Sequence, residues 1–199
     1  MFEISERLTI RPFKETDLDH FLDLSNDVRV QPTLTTDYVV PHGPKHKDEL
    51  KKILETAIFC GIIETREAKS QSQSEPQSES DSTSPKKPDK EWVGITSIHS
   101  TVRKNRDGMW GIVLDPKHWN RGYGTEVTTW MVDYAFQWLN MNRVSLSVYE
   151  GNPRAIDLYK RVGFIEEGRK RKCNWVNGRW EDIISMGILE DEWRASKQA

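Results

Sequence analysis

The run Trp110-Gly-Ile-Val-Leu-Asp-Pro-Lys-His-Trp-Asn-Arg-Gly-Tyr-Gly-Thr-Glu126 sets apolar Ile112, Val113 and Leu114 ahead of a turn that carries Gly122 and Gly124. The chemistry such a segment offers is anion binding. Glycines let the chain turn tightly with its N–H groups exposed, and a helix starting after them points the positive end of its dipole at the same place. A pyrophosphate fits there. A glycine pair in a loop is more often punctuation than a ligand site, so the remaining sequence has to supply the specificity. The turn needs a strand before it and a helix after it. From Thr125, the residues Val127, Trp130, Met131, Tyr134, Ala135 and Trp138 recur at helical spacing and predict an aromatic stripe buried against a sheet.

Downstream lies the alternating strand Val144-Ser-Leu-Ser-Val-Tyr149, followed by Glu150-Gly-Asn-Pro-Arg-Ala-Ile-Asp-Leu-Tyr-Lys-Arg-Val-Gly-Phe164. Asn152 and Pro153 suit the cap and first position of a short helix that Gly163 stops. Arg121-Gly-Tyr-Gly-Thr125, then Asn152, Ala155, Leu158, Tyr159, Gly163 and Phe164 in that order and spacing, resemble the acetyl-CoA-binding core of the GNAT N-acetyltransferase superfamily. The opening Arg7-Leu-Thr-Ile-Arg-Pro12, the Val93-Gly94 pair and the closing Asn177-Gly178 resemble its branch of ribosomal-protein N-terminal acetyltransferases.

The resemblance implies acetyl-CoA as co-substrate and a primary amine, on a protein N-terminus or a small molecule, as acceptor. It places backbone groups of Ile112 and Leu114 against the pantetheine arm, where the strand splays from its neighbour. It wraps the pyrophosphate with the backbone amides of Trp119, Asn120, Arg121, Gly122, Tyr123, Gly124 and Thr125, leaving the Arg121 side chain to reach a phosphate or solvent. Asn152 joins the coenzyme site, although an N-cap role explains it equally. Tyr159 becomes the general acid for the departing thiolate, since a phenol with a pKa of about 10 is protonated at neutral pH. The other reading of Tyr159 is a helix residue packed on the sheet. One departure from the family pattern is Trp119, at a place that often holds Gln or Arg.

No general base is assigned. Met109 to Leu114 contains no carboxylate, and the possible replacements Glu126, Glu150 and His99 each have a structural explanation: a helix N-terminus, a solvated loop and a sheet edge. The basic run Arg169-Lys-Arg-Lys172 suits a solvated face, an acidic substrate or the coenzyme's 3′-phosphate. Trp175 and Trp180 flank the Asn177-Gly178 hairpin signal as a cross-strand pair or as the lining of an acceptor pocket.

With 199 residues, 36% of them hydrophobic, and a formal charge of -2, the chain reads as one α/β domain over 1–199 with nothing in its net charge to suggest nucleic acid. Cys60 and Cys173 lie far apart without metal-ligand spacing, which argues against a disulfide framework or a metal. The start lacks a basic region followed by an apolar one, and no stretch reaches bilayer length. The expected home is therefore intracellular, cytoplasmic first with the nucleus left open, away from membranes, as a monomer or homodimer. Between Lys69 and Lys90 stand seven serines and three prolines with no large apolar side chain, which reads as a disordered insertion at 69–90.

The other elements follow from pattern. Arg7 to Arg11 alternates as a first strand, Thr16 to Leu24 forms a helix beside the substrate entrance, and 27–46 is a loop. Lys47 to Ala57 gives a second helix through Leu50, Ile53, Leu54 and Ala57, while Ile58–Ile63 and Trp92–Ile98 are neighbouring strands. A hairpin turn is expected at Asp107-Gly108. The sum is a mixed, twisted sheet of about seven strands flanked by about four helices, the GNAT-like arrangement. Two other functions fit the same residues: a catalytically inactive coenzyme-A-binding regulatory module, suggested by the missing base, and an unrelated phosphate-binding α/β protein.

Overall fold

The computed structural model describes residues 1–66, 90–100 and 102–198; the segment read as an insertion lies, apart from Lys90, outside the described residues. One sheet of eight strands runs in the order β1-β2-β3-β4-β5-β6-β8-β7. The strands are β1 (Phe2–Glu3), β2 (Leu8–Pro12), β3 (Phe59–Thr65), β4 (Trp92–His99), β5 (Asp107–Leu114), β6 (Arg143–Tyr149), β7 (Ile165–Val176) and β8 (Arg179–Leu189). The helices are α1 (Asp17–Ser25), α2 (His46–Glu55), α3 (Tyr123–Gln137), α4 (Pro153–Val162) and α5 (Glu190–Ser196). The sequence reading lacked β1, too short for a periodic signal, and α5, one acidic-to-basic turn at the C-terminal end.

Alternation along the central strands builds a core on each face. Ile62 and Ile95 pack with Leu18, Leu24, Val30, Leu50 and Leu54 under α1 and α2. Ile63, next to Ile62, and Ile98, three along from Ile95, face the other way, joining Val127, Met131 and Ala135 of α3, Trp193 of α5 and Phe164. Burial of each such side chain stabilises the fold by about 1.5–3 kcal/mol.

All neighbouring strands are antiparallel except β5 and β6. This parallel pair is registered only from Asp107 to Met109 against Arg143 to Ser145. β5 nevertheless stays paired to β4 as far as Leu114, and β6 to β8 as far as Tyr149. The two strands therefore part in the middle of the sheet while each keeps its outer ladder. Behind them α3 leaves the end of β5, and Asn152 caps α4 by accepting the Ala155 N–H at 3.2 Å.

Three expectations need correction. The turn before β5 is made by a 3-10 turn at Arg103–Asn105 and by Arg106 with φ 50, while Asp107 and Gly108 already belong to the strand. The aromatic stripe of α3 is not its buried face. Val127, Thr128, Met131, Val132, Ala135 and Phe136 are buried, whereas Trp130 and Tyr134 stack at 4.9 Å on the flank beside Phe2 and Phe59, and Trp138 is 75% exposed. In α2 only Leu50 and Leu54 are buried, and Ile53 is exposed.

A buried ion network fastens α1 to the sheet. The Arg11 guanidinium holds Asp17 with bonds of 2.8 and 2.7 Å and Glu64 with one of 2.6 Å. Burial alone would raise the Asp17 pKa, but the Arg11 fork and the Lys14 N–H outweigh it and hold the carboxylate below its usual range. A depressed carboxylate pKa contributes stability that is complete above the unfolded value of about 3.9 and is lost as pH falls through the folded value. Arg11→Met strands Asp17 and is expected to cost about 3 kcal/mol at neutral pH. Urea unfolding should show that difference narrowing as pH falls from about 4 through the lowered folded pKa of Asp17, where the carboxylate takes up its proton.

Candidate active site

The candidate site starts at the end of β5. Asp115 accepts the Lys117 N–H at 2.9 Å and opens a 3-10 turn, Pro116–His118. The Trp119 indole then donates to the Leu114 carbonyl at 2.9 Å, tying the turn back to the strand. Asn120 and Gly122 take positive φ values of 62 and 81, and Gly122 is the cap residue of α3. The first bond of the helix returns from the Glu126 N–H to the Gly122 carbonyl at 3.2 Å. Among the described residues the N–H groups from Asn120 to Thr125 find no acceptor. A row of free amide donors at a helix N-terminus is what a diphosphate requires.

The glycines are needed there for different reasons. A side chain at Gly122 would meet left-handed backbone strain, and its Cβ would lie 3.3 Å from Arg7 Nη2. At Gly124 a Cβ would lie 2.9 Å from Leu158 Cδ1, so this position lets α3 approach α4. The Tyr123 ring turns inward and is buried, near His118 and under the Arg7 guanidinium, which leaves only its backbone to a ligand. The Arg121 side chain is exposed.

The parting of β5 and β6 opens a cavity of about 720 Å³. The Asp115 N–H bonds the Val93 carbonyl at 2.9 Å. In an antiparallel ladder the bonded residues alternate, so the polar groups of Trp110, Ile112 and Leu114 point away from β4, toward the gap. The Leu114 carbonyl is taken by Trp119; its N–H and both groups of Ile112 face the opening. Of the residues singled out from sequence, Ile112, Asn152 and Tyr159 line this cavity. Leu114 and the turn 119–125 lie outside its wall, on the strand and helix that frame it.

Tyr159 is half-buried, with the edge of Trp110 at 5.6 Å and Phe164 at 5.8 Å, and among the described residues nothing bonds its hydroxyl. Burial pushes its pKa up to about 12. The phenol therefore stays protonated at neutral pH and serves as a donor into the cavity. A phenol this weak can hydrogen-bond a thiolate, whose parent thiol has a pKa of about 8.5, but does not hand its proton over fully.

None of the three base candidates lines the cavity. Glu126 is held by Ser5 Oγ at 2.6 Å and by Arg7, and Glu150 accepts the Asp182 N–H at 3.1 Å. His99 lies 3.2 Å from Ser97 Oγ, and burial lowers its pKa. The titratable groups other than Tyr159 and Tyr149 that do line the cavity come from the loop before α2 and from its first turn: Asp37, Tyr38, His42, His46 and Glu49. The His42 and His46 rings stack at 3.9 Å, and His46 Nδ1 lies 2.8 Å from Glu49 Oε2. Sequence reasoning passed over them, although His46 and Glu49 stand three apart at a helix start.

Trp175 and Trp180 face each other across the β7–β8 hairpin at 5.2 Å, outside the cavity. Arg169 is paired with Glu166 at 2.6 Å, Lys170 is exposed in register with Ile183, and Arg171 and Lys172 lie exposed in the bulge that follows it. Among the described residues no metal-holding group of His, Cys, Asp and Glu forms, both cysteines are free, and no helix is long and apolar enough to cross a membrane.

A sheet parted around a cavity, with a row of amides beside its mouth, has the shape to accept a long phosphorylated ligand between two strands. Residues 7–165 match the acetyltransferase (GNAT) domain family, and the chain belongs to it. This family draws its acetyl group from acetyl-CoA. A spermidine N(1)-acetyltransferase of Vibrio cholerae is 30% identical over 104 residues, which cover 52% of this chain and 60% of the relative. A putative ribosomal N-acetyltransferase of Bacillus subtilis is 30% identical over 109 residues, covering 55% of this chain and 60% of the relative. The aligned stretch thus spans about three fifths of these relatives' own length. A crystal structure of spermidine N-acetyltransferase from Vibrio cholerae in complex with CoA and spermine superposes with a TM-score of 0.73 at 22% identity, covering 96% of this chain and 99% of that one, which shows the shared fold.

Gly122→Val tests the cradle. The substitution is expected to cost about 1–2 kcal/mol through its left-handed backbone. It should also weaken acetyl-CoA binding by more than tenfold, read by titration calorimetry beside a thermal melt.

Proposed function

We propose that this protein transfers the acetyl group of acetyl-CoA to a primary amine by direct attack within a ternary complex. The observation that carries this reading is the parted β5–β6 pair, whose cavity runs past Tyr159 to a wall of Asp37, His42, His46 and Glu49. Orphan N–H groups around the left-handed Gly122 suit the diphosphate of acetyl-CoA, and inward-facing Ile112 suits its amide-bearing arm. When bound, acetyl-CoA supplies an activated acyl group on sulfur.

The acceptor ammonium gives up two protons in the net reaction; one ends on the coenzyme sulfur and one in solvent. Tyr159 holds the sulfur end by donating its hydroxyl hydrogen. No lysine or arginine lines the described cavity, while Asp37 and Glu49 do, an arrangement that favours a positively charged amine over an anionic acceptor. The relatives' names include both a spermidine and a ribosomal acceptor, so a small polycation and a protein N-terminus are the two acceptor classes of this reading. The coenzyme roles of Ile112, Leu114, Trp119, Asn120, Arg121, Gly122, Tyr123, Gly124, Thr125 and Asn152 belong to the same proposal. The expected assembly is a monomer or homodimer, which light scattering reads directly.

An acceptor panel of polyamines, amino acids and N-terminal peptides, with mass detection of acetylated product, tests the activity. Saturable acetyl-CoA binding without product across the panel would favour the inactive regulatory module instead. Tyr159→Phe is expected to lower kcat by about 10²-fold or less while leaving acetyl-CoA affinity within about twofold. Since the Tyr159 pKa lies at about 12 and its protonated form is the active one, kcat should show no tyrosine-dependent descending limb between pH 7 and 10. A limb in that range that vanishes in Tyr159→Phe would contradict the assignment.

A further inference from the structure

Arg7 stands just before β2, far in sequence from the glycine turn, yet its guanidinium touches three parts of that turn. A Cβ on Gly122 would lie 3.3 Å from Arg7 Nη2, the guanidinium carbon lies 4.9 Å from the Tyr123 ring centroid, and Nη2 pairs with Glu126 Oε1. Ser5 Oγ donates to the other Glu126 oxygen at 2.6 Å. Glu126 sits in the first turn of α3, beside the amides left without acceptors. Alone, a carboxylate suits a helix N-terminus; beside a bound diphosphate it is a like charge at short range. The Arg7 side chain remains 51% exposed, and a guanidinium carries five N–H donors, so the Glu126 pairing leaves others free.

We propose that Arg7 is a positioning residue for the coenzyme diphosphate: it braces the Gly122 turn and cancels the Glu126 charge, so that the amide cradle meets an anion without repulsion. The inference rests on the acetyl-CoA reading above. The contact of Ser5 and Arg7, just ahead of β2, with the start of α3 then belongs to the binding site as well as to the fold. Arg121, exposed on the turn itself, is the contrasting case, a cation that reaches outward.

The test uses the full chain and two acyl donors, acetyl-CoA and acetylpantetheine, which lacks the diphosphate. Arg7→Gln is expected to raise the acetyl-CoA Kd and KM about tenfold, with kcat at saturation within about twofold, because one unpaired charge then faces a partly exposed anion. The loss should shrink at 0.5 M salt, where such repulsion is screened. The double variant Arg7→Gln with Glu126→Gln should return to within about threefold of wild-type affinity, and Arg7→Lys should recover part of it. Turnover of acetylpantetheine should be unchanged in Arg7→Gln, and a thermal melt checks that the chain is folded. A double variant as weak as Arg7→Gln, or an equal loss with acetylpantetheine, would overturn the inference and leave acetyl transfer standing. Absence of saturable acetyl-CoA binding in the wild type would sink both.

Discussion

The structure depends on the parting of β5 and β6. Two adjacent strands can separate inside a sheet only if their backbone groups are otherwise satisfied, because a buried unpaired amide costs about as much as a lost hydrogen bond. Here each strand keeps its outer partner, β4 for β5 and β8 for β6, to the end of its length. The inner groups of Ile112 and Leu114 on β5 and of Ser147 and Tyr149 on β6 are then released, and two of them are taken at once, the Leu114 carbonyl by the Trp119 indole and the Tyr149 carbonyl by the Asn152 N–H. What is left is a polar edge facing a cavity, which a ligand with its own amides can complete.

The same parting fixes the rest of the site. β5 ends where the gap is wide, so the turn that follows it and the N-terminus of α3 frame the mouth. α4 packs across the other side and sets Tyr159 and Asn152 into the wall. On the opposite face α1 and α2 close over the sheet, anchored through Arg11, Asp17 and Glu64, and the loop between them brings histidines and carboxylates to the far end of the cavity. The mouth with its free amides and the acidic end of the cavity are thus built from different layers that share one opening.

Much of this was legible along the chain where local chemistry is decisive. The Asn177-Gly178 turn, with φ of 47 and 78, and the Asn152-Pro153 start of α4 were read correctly because backbone conformation there is set by the residue itself. Asp107-Gly108 misled, since the same pair can sit in a strand when the neighbour Arg106 takes the left-handed turn and Gly108 lies against Ile98. The α3 aromatics misled for a geometric reason. Helical spacing marks two adjoining stripes, and the aliphatic one faces the sheet while Trp130 and Tyr134 rest on Phe2 and Phe59 at its flank.

By itself the sequence determined the order of elements, the glycine turn with its amide donors and the placement of Tyr159 one helix beyond it, because turns, caps and periodicity are properties of short segments. Only the tertiary structure decided what surrounds the cavity. It showed that Glu126 belongs to Arg7 and Ser5, that Glu150 serves the hairpin, and that His42, His46 and Glu49 reach the cavity. Those partnerships join residues far apart in the chain, and no local pattern encodes which side chains a folded sheet will bring within a few ångströms.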